Sequence, residues 1–187
     1  MSWASNLQPD LILGGSILSL TPDILKHYQL RGLVLDVDET LVPLKVAQAS
    51  EELRQWVEIV RPVVALWLVS NNLSENRIGN IAKSLNVPYI VGARKPSRRK
   101  LKRAVEAMSL PVEQVAMVGD RLFTDVLAGN RLGMFTILVE PMIDPAVTVT
   151  SYPIRDFEVW VSQSLGVSLT AVQQNLNKPD KSRETEI

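Results

Sequence analysis

Three acids close an apolar run in LVLDVDETLVP, residues 33–43. Leu33, Val34 and Leu35 read as a buried strand, and Asp36, Asp38 and Glu39 follow within four positions. Carboxylates gathered where water is partly excluded disfavour one another's ionisation, so the pattern calls for something positive. Asp36 and Asp38 are two apart, which on a strand sends both side chains to one face. Their Cα atoms would then lie about 6–7 Å apart, at about 3.3 Å rise per residue. Two oxygen donors at that spacing can share a hard cation or divide labour on one substrate. Mg2+ is the expected cation, because the candidate ligands are all oxygens and the chain has no cysteine. Taken alone, D-x-D fits a solvated acidic turn equally well.

Three further segments carry the same type of signal. Ser70 and Asn71 follow VVALWLV, where a hydroxyl and an amide can donate to a phosphoryl oxygen. Lys95 stands just ahead of a helical pattern in ARKPSRRKLKR, where its charge and the helix N-terminus both favour an anion. Seven of the ten residues from Arg94 to Arg103 are Lys or Arg, so most of them form a solvated basic collar and Lys95 is the functional candidate. In VGDRLFTDVLAGN, Asp120 ends a strand and offers a third ligand to the cation. Asp125, about one turn further on, can orient Lys95 or stand in the outer coordination shell. Each signal alone reads as an ordinary turn or helix entry. Four of them in order, each at a strand end, make a site.

The elements that must hold these residues alternate. Apolar runs at 32–38, 63–70, 88–93, 114–120 and 135–140 read as strands, most of them without the polar alternation of a half-exposed sheet. Between them, Leu53, Trp56, Val57 and Val60 recur at helical spacing behind Ser50 as N-cap. Ile78, Ile81, Ala82 and Leu85 do so behind Ser74, and Leu101, Ala104, Val105 and Met108 behind Lys95. A fourth helix is expected from near Arg121 to Gly133. Strand–helix alternation argues for an α/β sandwich with a parallel sheet, in which ligands bind outside the carboxyl ends of the strands. TPDILKHY predicts a short helix with Thr21 as cap and Pro22 in its first turn. IRDFEVWVSQSL predicts a final amphipathic helix, with Phe157, Trp160, Val161 and Leu165 more in keeping with core packing than with a lipid-facing stripe, ahead of a polar, disordered tail.

The whole chain bounds the answer. Its 187 residues suit one domain with short appendages, and 46% hydrophobic with 21% charged residues suits a soluble globular protein. Formal net charge is zero, so nucleic acid is not an expected partner and anionic attraction must be local. The N-terminus lacks a secretory pattern and PVVALWLV is too short to span a bilayer. The expected location is cytoplasmic, with peripheral contact to a membrane left open. His27, the one histidine, precedes the first long strand and is given no catalytic role.

At this point the residues resemble the haloacid dehalogenase-like (HAD) phosphohydrolase superfamily. DVDET resembles its first motif, SNN its second, Lys95 in ARKP its third and GDRLFTD its fourth. GLVLDVDETLVP, ARKPSRRKLKRA and the lead-in QPDLILGGSILSLTPDIL are similar to the class IIIA, YqeG-type group, related to phosphatidylglycerophosphate phosphatases. The resemblance implies a HAD-like Rossmannoid three-layer sandwich with a central parallel sheet. The expected division is an N-terminal lead-in helix over 1–31, a capless HAD phosphatase core over 32–150, and a C-terminal helix and disordered tail over 151–187, a segment in which the resemblance offers no motif. The resemblance implies Asp36 as nucleophile through an aspartyl-phosphate, and Asp38 as general acid and then general base. Mg2+ would be held by Asp36, the backbone carbonyl of Val37 and Asp120, and the phosphoryl group by Ser70, Asn71 and Lys95. Glu39 departs from the Asn expected in many relatives and adds a negative charge beside the metal.

In this superfamily, covering domains are inserted after the first or the second motif. Here one helix and one strand use nearly all of each interval, so no cap domain is expected and the site should be open. An open site suits a large anionic phosphoester, with a lipid phosphate at a membrane surface the leading candidate. The leading expectation is hydrolysis of phosphatidylglycerophosphate. Another open-site phosphoester (phosphoprotein, nucleic-acid end or small metabolite) and a non-catalytic binding module are the alternatives.

Overall fold

The computed structural model describes residues 3–142. The C-terminal helix expected around Phe157 and Trp160, and the tail, lie outside the described residues. Six strands, β1 (Leu11–Ile12), β2 (Gly32–Leu35), β3 (Ala65–Val69), β4 (Tyr89–Ile90), β5 (Val115–Gly119) and β6 (Phe135–Leu138), form one sheet in the order β1-β6-β5-β2-β3-β4. Every pairing is parallel, with Val34 opposite Trp67 on one side and Met117 on the other. The strands are short because each apolar run spends its last residues on the turn that carries the polar groups. The run 32–38, for example, is ladder only as far as Leu35.

Helices α1 (Pro22–His27), α2 (Glu51–Val60), α3 (Glu75–Leu85), α4 (Arg99–Met108) and α5 (Leu127–Leu132) make the outer layers. Side-chain alternation along the strands separates two cores. Leu33 and Leu35 pack with Leu53, Trp56 and Val57 of α2 and Ile78 and Ile81 of α3, whereas Val34 packs with Leu101 and Ala104 of α4 and Ala128 of α5. This is the three-layer sandwich that the continuous apolar runs require. Cap chemistry sets the helix starts: the Thr21 and Ser50 hydroxyls accept from the Ile24 and Leu53 N–H groups. Ser74 flanks α3 without a side-chain cap bond. Gly133, at φ 83°, ends α5.

The lead-in does more than supply a short helix. Leu11 and Ile12 extend the sheet beside β6, and the Asp10 carboxylate accepts both the N–H and the hydroxyl of Thr136 at 2.8 Å. Leu13, Ile17, Leu20 and Leu25 are buried in the same core as β2, and the Trp56 indole N–H donates to the Leu20 carbonyl at 2.8 Å. The stretch before residue 32 is therefore part of the central core. Between Asp38 and Ser70 the chain holds only loops, α2 and β3, and between Asn71 and Lys95 only α3 and β4 with their turns. Neither interval contains an inserted cap.

β2 is flanked by β3 on one side and by β5 on the other, so the chain reverses its direction of build between β2 and β5. That switch point, at the carboxyl ends of the strands, is where such sheets bind ligands. Asp36 and Asp120 each follow one of these two strands directly.

Candidate active site

Asp36 leaves β2 with its N–H still paired to the Val118 carbonyl at 2.9 Å, so ladder geometry fixes its backbone. Asp120 follows Gly119, the last residue of β5. A Cβ at Gly119 would stand 2.3 Å from the nearest carboxylate oxygen of Asp125. Only glycine lets that side chain lie back over the strand end. Asp125 reaches there because the expected single helix opens with a π-helical turn, Leu122–Val126, before α5 begins. Single π turns recur at functional sites because they re-aim one side chain.

Asp36, Asp120 and Asp125 are buried, and each offers an oxygen within 4.8 Å of the others. Lys95, also buried, places its ammonium against Asp36 Oδ1 and 2.7 Å from Asp125 Oδ1. The Lys95 ammonium thus bridges two carboxylates, and Asp125 Oδ2 accepts from the Arg121 N–H at 3.3 Å. The Thr40 hydroxyl donates to Asp120 Oδ1 at 2.8 Å and lies 3.5 Å from Asp36 Oδ2. With a single proton to give, it serves Asp120, which leaves Oδ2 the less engaged oxygen of Asp36.

Asp38 and Ser70 meet at the same edge, the Ser70 hydroxyl donating to Asp38 Oδ2 at 2.9 Å and accepting from the Asn72 N–H at 2.9 Å. Asn71 reads differently from expectation. Its amide oxygen accepts the Lys95 N–H at 2.7 Å and its amide nitrogen donates to the Lys95 carbonyl at 3.3 Å. The side chain thus clamps the backbone of Lys95 and acts on the site through it. The Val37 carbonyl accepts the N–H groups of Leu41 at 3.1 Å and Val42 at 3.2 Å, so a cation there would compete with two main-chain donors. Glu39 sits at φ 65°, a left-handed position that suits Asn or Gly better than Glu.

Electrostatics test the fit to a cation. Three buried carboxylates face one buried ammonium. Desolvation, then the charges of Asp125 and Asp120, outweigh the pull of Lys95 and push Asp36 up to about 8. Desolvation and the Asp125 charge push Asp120 up to about 7, with Glu39 adding to the rise. The Lys95 ammonium is held well above its usual range by Asp125 and Asp36, against its own burial. Once ionised, the cluster holds three carboxylates against one ammonium, a surplus of negative charge on oxygen donors alone, which is what a hard divalent ion neutralises. Mg2+ fits Asp36 and Asp120, with Asp125 behind them.

A prediction follows from the sign of these shifts. An acid whose folded pKa is raised keeps a proton that the unfolded chain has lost, so metal-free stability should fall as pH rises from about 4 to about 8. A cation binds the ionised forms and reverses this. Thermal denaturation with excess Mg2+ and with chelator should differ by about 2–3 kcal/mol near pH 8.5, at a hundredfold excess over Kd, and by much less near pH 5.5. Equal stabilisation at both pH values would count against carboxylate ligation.

Four strand ends thus bring Asp36, Asp38, Ser70, Lys95, Asp120 and Asp125 to one edge, at the switch point of a parallel sheet. Fold and site together define a HAD-like hydrolase, a phosphoric monoester hydrolase. A family model described as HAD-hydrolase-like matches residues 92–153. The chain is 37% identical over 138 residues to "Probable phosphatase YqeG" of Bacillus subtilis (strain 168), covering 73% of this chain and 80% of that protein. It is 31% identical over 131 residues to phosphatidylglycerophosphate phosphatase 1, chloroplastic/mitochondrial, of Arabidopsis thaliana, where the match covers 64% of this chain and only 37% of the plant protein. Among solved structures, an uncharacterized protein from Listeria monocytogenes serotype 4b shares the fold at TM-score 0.50 and 14% identity, over 72% of this chain and 99% of that one. The chain belongs to the HAD-like phosphatases of YqeG type.

Proposed function

We propose that the protein is an Mg2+-dependent phosphomonoesterase that works through an aspartyl-phosphate on Asp36, and that its substrate is a lipid phosphate, phosphatidylglycerophosphate. The observation that carries the catalytic reading is the meeting of Asp36, Asp38, Lys95 and Asp120 at one sheet edge. Asp36, through Oδ2, attacks the phosphorus while the bond to the leaving alcohol breaks, and Asp38 gives that alcohol its proton. Asp38 then takes a proton from water, whose oxygen attacks the same phosphorus. The bond to Asp36 breaks, and inorganic phosphate leaves. Ser70 donates to a phosphoryl oxygen, and Lys95, locked by the Asn71 clamp, supplies a fixed positive charge. Bound at Asp36 and Asp120, Mg2+ adds charge neutralisation at the phosphoryl oxygens.

The lipid reading rests on the name of the Arabidopsis relative, on the missing cap and on the rim of the site. An uncapped site relies on its substrate's surroundings to exclude water. Among the described residues three large hydrophobic side chains are exposed. Leu44 and Leu73, at 55% and 78%, lie on the loops after β2 and β3 at the edge that carries the site, whereas Ile59 sits near the far end of α2. Beside Leu73 a shallow cavity of about 470 Å³ is lined by Val91, Arg94, Ser97, Arg99 and Lys100. Apolar tips set in basic surface suit an anionic bilayer. Each cation near it contributes roughly 1 kcal/mol, and a buried leucine about 1.5–3 kcal/mol. Leu73→Glu should weaken co-sedimentation with phosphatidylglycerol vesicles about tenfold or more; unchanged binding counts against this rim.

The substrate test offers purified protein phosphatidylglycerophosphate in mixed micelles and, separately, soluble phosphoesters, each with Mg2+ or chelator. Metal-dependent release from the lipid supports the proposal. Turnover of soluble esters alone would reassign the substrate, and no turnover of any phosphoester would leave a binding module.

A further inference from the structure

We infer that Arg77 is a positioning residue for Asp38, holding that carboxylate in the site when Ser70 lets it go. The inference rests on the acid–base role proposed for Asp38. Arg77 lies in the first turn of α3, where the sequence shows only the polar side of an amphipathic helix. Its guanidinium is committed on three sides. Nη1 donates to Asp38 Oδ1, Nε to the Val46 carbonyl at 2.9 Å and Nη2 to the Pro43 carbonyl at 3.1 Å. Both carbonyls belong to the loop that leaves the Asp36–Thr40 turn, so one rigid planar fork fixes the acid and the loop behind it together. The side chains of Arg77 and Asp38 are 13% and 19% exposed, well removed from the weak, fully solvated ion pairs of protein surfaces.

The need for such a clamp follows from the Ser70 hydroxyl. It has one proton, and in this structure that proton goes to Asp38 Oδ2. When Ser70 donates to a phosphoryl oxygen instead, Asp38 loses one of its two side-chain donors at the step where its position matters. Arg77 is unaffected by that exchange, since its remaining partners are main-chain carbonyls. Oδ1 stays fixed and Oδ2 is released toward the reacting group. A lysine at this position would keep the charge but could not hold Asp38 and two carbonyls in one plane.

The test separates proton donation from general damage by changing the leaving group. Wild type, Arg77→Met and Arg77→Lys, each with Mg2+, are assayed in single turnover on 4-nitrophenyl phosphate, whose leaving group needs no proton, and on phenyl phosphate, which gains more from one. Positioned acid–base groups contribute about 10²–10⁴-fold. Arg77→Met should therefore lose about 10²-fold on phenyl phosphate, only a few-fold on 4-nitrophenyl phosphate, and leave KM nearly unchanged; Arg77→Lys should recover part of the loss. Equal losses on both esters, or none on phenyl phosphate, would overturn the inference. Should Arg77→Met fail to fold, the same contrast is read from Arg77→Lys. If the wild type hydrolyses neither ester, the three proteins are compared on phosphatidylglycerophosphate in mixed micelles, where turnover by Arg77→Met equal to wild type would overturn the inference, and no turnover by the wild type there either removes the acid–base reading and the role of Arg77 with it.

Discussion

Lys95→Met should unfold the metal-free protein at mildly alkaline pH more readily than any substitution on the site's rim. The side chain is nearly isosteric, so the packing around it changes little. What disappears is the one ammonium that touches both Asp36 and Asp125. Removing one partner of a buried ion pair typically costs about 3–5 kcal/mol, because the other charge stays behind without compensation. Here two contacting carboxylates stay behind, with Asp120 close by. The folded pKa of Asp36 should rise beyond about 8, so the folded state keeps a proton that the unfolded chain sheds above about 4. The part of the penalty that Asp36 carries is therefore small near pH 5, where Asp36 stays protonated with or without the lysine, and grows as pH rises through about 8 and above. Urea denaturation in chelator at the two pH values measures it. Excess Mg2+ at high pH should return part of the loss, since a cation then stands against the same oxygens. A variant as stable as wild type near pH 8.5 would show that Lys95 does not neutralise this cluster. Phosphate release should fall as well, because the fixed charge aimed at the phosphoryl group is gone.

How far this site was legible in the sequence depends on what each residue does. Asp36, Asp38, Ser70, Lys95 and Asp120 follow apolar runs, and a parallel sheet must bring such strand ends to one edge. That part needs no coordinates. Thr40 and Arg77 do not stand out in the sequence, for different reasons. Thr40 stands inside the DVDET motif, but its bond to Asp120 crosses 80 positions of chain. Arg77 looks like any solvated cation on α3 until the loop carbonyls of Pro43 and Val46 are placed beside it. Asn71 reads in the sequence as a donor to the phosphate; in the structure its amide also matches the donor and acceptor of the Lys95 backbone, a pairing that no spacing rule announces. The turn after β2 is tight enough for two N–H groups to fold back onto the Val37 carbonyl, which the sequence does not show. β1, at two residues, is too short to show periodicity, and what sets it beside β6 is a bond from the Leu13 N–H to the Leu138 carbonyl and the pairing of Asp10 with Thr136, contacts between distant parts of the chain. Asp125 was legible as a candidate, but the π-helical turn that delivers it was not.

Asp36→Asn makes the strongest contrast with Lys95→Met, although the two residues form one ion pair. Losing a nucleophile that acts as part of a unit lowers turnover on the order of 10⁴–10⁶-fold, so phosphate release in the presence of Mg2+ should drop to background. Stability should move the other way from the lysine variant. Asparagine keeps the shape, accepts from Lys95 as a neutral oxygen, and removes one of three carboxylates whose crowding and desolvation push Asp36 up to about 8. Above that pH the wild type holds an ionised Asp36 at a cost the variant does not bear. Metal-free Asp36→Asn should then be as stable as wild type near pH 5 and equal or more stable near pH 8.5, the trade of stability for activity that strained sites show. Urea midpoints in chelator and single-turnover phosphate release, read on the same preparations, decide the matter. A loss of about 3–5 kcal/mol at high pH, matching Lys95→Met, would mean that Asp36 serves to neutralise the lysine in a structural pair. Retained turnover would remove it as nucleophile. Lost turnover with stability unchanged or raised is the signature of a carboxylate kept in an unfavourable place for its chemistry, with a cation and a phosphoryl group as the partners that make the crowding tolerable.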